Sequence, residues 1–213
     1  MNPTNSSLSR FLSAGLVLGA LTVAQPAMAR ITAADVLLDQ LEAQAQQQGA
    51  ARLPATGEVE YAFSPGQGAE RLVLAVIGSA RQELRVLAYS FTSAPVTQAL
   101  IAARKRGVDV QVLVDQRSNM IDDRSGKARA ALGALSLAGV RVRTISAYPI
   151  HHDKVIVADR STVQTGSFNY SAAAAKANSE NVLVLWNHPQ AAQGYLAHWE
   201  RNWRKGADWQ PAY

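Results

Sequence analysis

From Val59 onward the spacing of hydrophobic positions changes repeatedly, two residues apart in short runs and three or four apart in longer ones. Val59–Phe63, Glu83–Ser90, Val108–Asp115, Val140–Ile145, Lys154–Ala158, Thr162–Thr165 and Asn181–Trp186 are short alternating or β-branched runs and are predicted as strands. Helical spacing predicts helices over Gly68–Ser79, from Ser93 to about Arg106, along the alanine-rich stretch closed by Gly139, and over Ser171–Ala177 and Pro189–Lys205. Ser93 is a capping residue, Pro95 suits a first helical turn and Gly107 a stop. Gln116–Gly126 reads as a polar loop. Strands alternating with helices imply an α/β chain with a central sheet, mixed and largely parallel, and helices on both faces.

The first 57 residues follow another pattern. Phe11–Ala24 is an apolar run behind Arg10, and Ala27-Met28-Ala29 is a small-x-small site, so residues 1–29 read as a secretory signal peptide. The run is too short to span a bilayer comfortably. A periplasmic or secreted location without stable membrane association follows as the expectation. Residues 30–57, rich in alanine and glutamine, read as an N-terminal helix or arm, with Thr32 as its cap. The domain proper is expected over 58–213.

Charge changes the picture little. The chain carries +5, and without Arg10 twenty basic residues face sixteen acidic ones, a mild excess that suits a polyanion without requiring one. With no cysteine, disulfides and thiolate metal sites are excluded.

Candidate chemistry concentrates in His152-Asp153-Lys154 and Gly166-Ser167-Phe168-Asn169. Alternation along a strand puts His152 and Lys154 on one side, and Ser167 and Asn169 share a face by the same period. A nucleophile, a cation and two hydrogen-bonding groups then converge on a small anion such as a phosphate diester. His151 and Asp153 fall on the opposite face.

The spacing H-x-K-x4-D-x6-G-S-x-N, from His152 through Lys154, Asp159, Gly166 and Ser167 to Asn169, resembles the phospholipase D superfamily. From about Val59 the chain resembles its small bacterial single-motif endonucleases, including Tyr61-Ala62-Phe63-Ser64-Pro65, Ala88-Tyr89-Ser90-Phe91-Thr92, Lys105-Arg106-Gly107-Val108-Asp109-Val110 and Asn178-Ser179-Glu180-Asn181. The resemblance implies an α-β-α sandwich, and an endonuclease acting on DNA, with RNA as a further substrate, through a phosphohistidine on His152. Lys154, Ser167 and Asn169 would hold the phosphoryl oxygens, and Glu180 would fix the His152 tautomer. Asp159 lies at the far end of its strand and, with Gly166, is assigned a structural role. The resemblance also implies independence of metals and cofactors. One motif supplies one histidine where the chemistry asks for two, so a homodimer with a composite site is expected. A phospholipase or phosphatidyltransferase is the alternative enzyme, and a non-catalytic nucleic-acid-binding module the alternative of another class.

Other residues carry weaker signals. Arg117, at the carboxyl end of a strand, and Tyr148, just before the motif, are candidate substrate contacts. Arg104-Lys105-Arg106 suits a helix C-terminus. His188 and His198, without an acidic partner at ligand spacing, read as surface or packing residues.

Overall fold

The computed structural model describes Leu37, Gln40 and residues 51–211 of the chain. Leu37 and Gln40 are helical and exposed, whereas the signal-peptide reading of residues 1–29 lies outside the described residues. From Glu58 the elements run β1 (Glu58–Ser64), α1 (Ala69–Ser79), β2 (Glu83–Ala88), α2 (Ala94–Lys105), β3 (Asp109–Asp115), α3 (Lys127–Leu137) and β4 (Arg141–Ile145). They continue with β5 (Lys154–Ala158), β6 (Thr162–Gly166), α4 (Ala172–Lys176), β7 (Glu180–Trp186), α5 (Pro189–Lys205) and the two-residue β8 (Ala207–Asp208). Most follow the hydrophobic periodicity. Ser93 caps α2 by accepting from the Val96 N–H, with Pro95 in the first turn.

The strands form one sheet in the order β1-β7-β6-β5-β2-β3-β4-β8. It is mixed, as expected, but parallel pairing is confined to β2–β3 and β3–β4. The other neighbours, from β1–β7 through β5–β2 and again at β4–β8, pair antiparallel. The reason is connectivity. β5 and β6 are joined by the three-residue turn Asp159-Arg160-Ser161, the first two at positive φ, and a turn that short permits only antiparallel neighbours. Gln116–Gly126 is also more ordered than a loop, because Arg117–Asp122 forms a π-helical turn.

Alternating side chains divide the core in two. Leu84, Val86, Val112, Ile156 and Val184 pack beneath α1, α2 and α3. Leu87, Leu113, Val155, Val157 and Val163 pack beneath α5 through Leu196 and Trp199. The result is the α-β-α sandwich. α5 packs over β2, β4, β5 and β6. On the edge strand β1, Val59, Tyr61 and Phe63 share one face and stay 59%, 68% and 44% exposed.

The predicted structural residues hold the frame. The Asp159 carboxylate accepts backbone N–H bonds from Arg81, Gln82 and Glu83 at 2.8–2.9 Å, tying the β5–β6 turn to the start of β2. Burial alone would raise its pKa, but these donors and the Arg81 charge together hold it below the usual aspartate value. Arg106 sends its guanidinium to the carbonyls of Ile77, Gly78 and Ala80 at the end of α1, so this member of the basic cluster ties two helix termini together. His188 is buried and caps α5, its Nδ1 accepting from the Ala191 N–H.

Candidate active site

The motif lies at the end of the sheet where β2 and β3 finish and β5 and β7 begin. β5 is buried along its whole length, and Lys154, its first residue, pairs with Ala88 of β2. His152 precedes the strand and is exposed, whereas Lys154 is buried. The lysine Nζ donates to the His152 carbonyl at 2.7 Å and sits 5.1 Å over the Tyr89 ring. Burial lowers its pKa, while the Asp153 and Glu180 carboxylates favour the charged form.

β6 delivers the second half. Gly166 has φ +144, and a Cβ there would overlap the Asn181 carbonyl oxygen, so only glycine lets β6 approach β7 this closely. Beyond it Phe168 and Tyr170 point into the core, and Tyr170 donates its hydroxyl to Gln164 at 2.9 Å. Ser167 and Asn169, on the alternate positions, face the cleft, and Ser171 caps α4. A cleft of about 450 Å³ is lined by His152, Lys154, Ser167, Asn169, Glu180 and Asn181. The five predicted catalytic residues therefore meet. A larger cavity of about 700 Å³ between α1, α2, α3 and α4 contains no histidine among its lining residues, so chemistry rather than size marks the site.

One expected contact is not made. Glu180 does not bond the His152 ring; its Oε2 accepts from Ser167 Oγ at 2.6 Å and its Oε1 from Asn178 Nδ2 at 3.0 Å. Pairing of Gly166 with Val182 carries Ser167 over the start of β7, where the Asn181 N–H donates to its Oγ at 3.0 Å and turns its proton toward Glu180. Asn169 Oδ1 is buried and without a partner, so this amide is free to serve a ligand through oxygen or, turned over, through nitrogen.

The residue that sequence reasoning missed is Tyr89. Its ring lies 4.6 Å from that of His152, and Lys154 Nζ lies over it, so one aromatic side chain supports both. An aromatic residue at the carboxyl end of a strand was the available signal, but only strand order puts β2 beside β5. His198 is a second correction. Far from lacking an acidic partner, its Nε2 lies 2.9 Å from Asp153 Oδ2, linking α5 to the residue between His152 and Lys154. His151 is buried on the side away from the cleft, 3.5 Å from Asp153, and its backbone N–H donates to Asp115.

The two candidate substrate contacts separate. Arg117 is exposed at the mouth of a neighbouring cavity and pairs with Asp122 at 3.5 Å. Tyr148 stands outside the cleft, its hydroxyl accepting from Lys205 at 2.8 Å and its ring stacked toward His151. Among the described residues, no three histidine, aspartate or glutamate side chains are grouped to hold a metal ion.

Comparison with known proteins agrees with this geometry. Residues 73–203 match the family model described as "Cardiolipin synthase, PLD-like domain". A phospholipase D of Rickettsia bellii is 37% identical over 142 residues, 67% of each chain. A mitochondrial cardiolipin hydrolase of Xenopus laevis is 30% identical over 135 residues, 63% of this chain and 60% of that one. Among solved structures, Nuc of Salmonella typhimurium, a phospholipase D family member, is 44% identical with a TM-score of 0.69, covering 72% of this chain and 98% of that one. NucT of Helicobacter pylori, 22% identical with a TM-score of 0.61 over 71% of this chain and all of that one, shares the fold. With the H-x-K motif, the cleft and the sandwich in agreement, the chain belongs to the phospholipase D superfamily, as a phosphodiesterase of that type in its small, single-motif branch.

Proposed function

We propose that this protein is an endonuclease that hydrolyses phosphodiester bonds of DNA, and of RNA, without sequence specificity. The observation that carries this is the convergence of exposed His152 with Lys154, Ser167, Asn169 and Glu180 on one cleft at the sheet end. In the proposed reaction a free His152 ring nitrogen attacks phosphorus, forming an N–P bond as the P–O bond to the leaving strand breaks. Lys154 and Asn169 stabilise the equatorial oxygens. Ser167, held by Glu180 and Asn181, keeps the β6 end in place beside them. His152 of a second copy gives its proton to the leaving oxygen. It then takes a proton from water, whose oxygen attacks phosphorus and releases His152. Cation and acid are thus supplied by side chains, so the reaction is proposed to need no metal or cofactor.

The second copy is supported by the apolar stripe of Val59, Tyr61 and Phe63. Its strand pairs Phe63 with Asn181 and Ser64 with Glu180, beside the cleft, so a partner covering the stripe would bring its own motif near. The proposal includes a periplasmic or secreted location, resting on the signal-peptide pattern of residues 1–29. A polynucleotide substrate is supported by the net positive charge and by the likeness to the single-motif branch.

Lipid phosphodiesters are the second reading, favoured by the names of the Rickettsia and Xenopus relatives. A purely binding role would not need an exposed nucleophile beside a buried lysine. Purified protein offered plasmid DNA, RNA and phosphatidylcholine vesicles side by side, with excess chelator, tests all three. Nicking of DNA in chelator is expected. Cleavage confined to vesicles, or cleavage of DNA only after magnesium or zinc is restored, overturns the proposal.

A further inference from the structure

Beside the cleft, on the side away from β1, lies a second cavity of about 270 Å³. Its walls are Tyr89, at the end of β2, Pro149 and Ile150 from the loop before the motif, and Asp115, at the end of β3. Arg117 and Asp122, from the π-helical turn, stand at its mouth. Tyr89 is the wall shared with the active site, since the same ring lies against His152.

The cavity is held open by bonds internal to its walls. Asp115 Oδ1 accepts from the Ser118 N–H at 2.7 Å and Oδ2 from the His151 N–H at 2.8 Å, joining the turn to the motif loop. Buried Asn119 donates to the Tyr89 carbonyl at 2.6 Å and accepts from the Phe91 N–H at 2.8 Å, fixing the backbone that carries the tyrosine. By contrast, the groups at the mouth are loosely engaged. The Arg117–Asp122 pair is 3.5 Å apart with side chains 72% and 53% exposed, and Ile150 is 55% exposed.

We propose that this cavity is a base subsite, taking the nucleobase attached next to the scissile phosphate. The subsite presupposes the nuclease activity proposed above. Three features select the ligand. The order β5-β2-β3 places the cavity one to two strands from Lys154, roughly 5–10 Å at ordinary strand spacing, the reach from a phosphate to the base of its nucleoside. The lining combines one aromatic ring, Tyr89, with the apolar Pro149 and Ile150, which suits a flat ring with apolar faces. The mouth offers a donor in Arg117 and an acceptor in Asp122, which suits a ring with polar edges. An acyl chain would fill the same walls but desolvate that charged mouth without pairing it. Stacking makes no demand on base identity, so the subsite adds binding without adding sequence specificity. Because the base rests on Tyr89, its binding also bears on the ring that supports His152 and Lys154.

The test removes the base from the substrate, and one wall residue and one mouth residue from the protein. A dinucleoside monophosphate and two analogues, each lacking one base, are offered to wild type and to the double variant Arg117→Ala/Ile150→Ala. Both side chains are exposed, and matched thermal melts verify the fold. In wild type, loss of the base on one side is expected to lower kcat/KM by about tenfold, the scale of one base–aromatic stack. In the variant the same deletion is expected to matter by only about threefold, because the Tyr89 stack remains while the Ile150 and Arg117 contacts to the base are gone. An equal base penalty in both proteins, or none in wild type, overturns the subsite while leaving the nuclease activity standing. Cleavage of phosphatidylcholine vesicles by wild type with no cleavage of dinucleotide or DNA overturns both.

Discussion

Gly166→Ala is the most instructive single change, because one methyl group tests both the β6–β7 junction and the catalytic cleft. At φ +144 an L-residue is strained by about 1–3 kcal/mol before any contact is considered. The new Cβ would also stand 3.0 Å from the Asn181 carbonyl carbon and 3.0 Å from its Oδ1, and closer still to the carbonyl oxygen. Two of these atoms are backbone, so relief requires the strands to part by about 1 Å, the scale at which misplaced catalytic groups cost about a hundredfold in rate. Such a shift draws Ser167 away from Glu180 and from the Asn181 N–H. Urea unfolding at fixed protein concentration should show at least about 1–3 kcal/mol of lost stability, the strain alone. Steady-state hydrolysis of bis(p-nitrophenyl) phosphate should show kcat down about a hundredfold. Stability within about 0.5 kcal/mol of wild type together with a rate within about twofold would refute the close-approach reasoning.

His152→Ala should lower turnover by about a thousandfold or more at unchanged thermal stability; a rate within about tenfold of wild type would assign the nucleophile elsewhere. A heterodimer of wild-type and His152→Ala chains, isolated with two different tags, should retain far less than half the activity, whereas half would mean that each protomer works alone. Asp159→Asn keeps the positive-φ turn but loses the charge that accepts three backbone donors, and should cost about 1–3 kcal/mol at neutral pH. Because the folded pKa of Asp159 lies below its unfolded value of about 3.9, that contribution is present above about pH 4 and is lost as pH falls through the folded pKa. Unfolding curves of wild type and variant should therefore converge in acid, and a constant gap would remove the ionised carboxylate from the explanation. His198→Ala should lower kcat about three- to tenfold with KM little changed, by freeing Asp153 between His152 and Lys154; His198→Gln should recover part of that, and a change confined to KM would argue for a substrate contact instead.

What the sequence determined by itself is what neighbours along the chain decide. Period-two runs located the strands, and the Ser93 cap, Pro95 and Gly107 bounded α2, because these interactions close within a few residues. The offsets from His152 to Asn169 were legible for the same reason: one hairpin, β5 turning into β6, brings both halves together. Asp159, at the hairpin's far end, was separated from the chemistry by counting along the strand. What only the tertiary structure decided depends on which strands lie side by side. Placing β5 against β2 rests on packing between segments some seventy residues apart, and it brings Tyr89 under His152 and Lys154. The β6–β7 register gives Glu180 to Ser167 rather than to His152, and the seat of α5 gives Asp153 its histidine. The same register makes Gly166 obligatory, since the clash it avoids is with Asn181 on another strand. Chain-local patterns carry no record of these distances, because the free energy that sets them comes from burying two faces of one sheet at once.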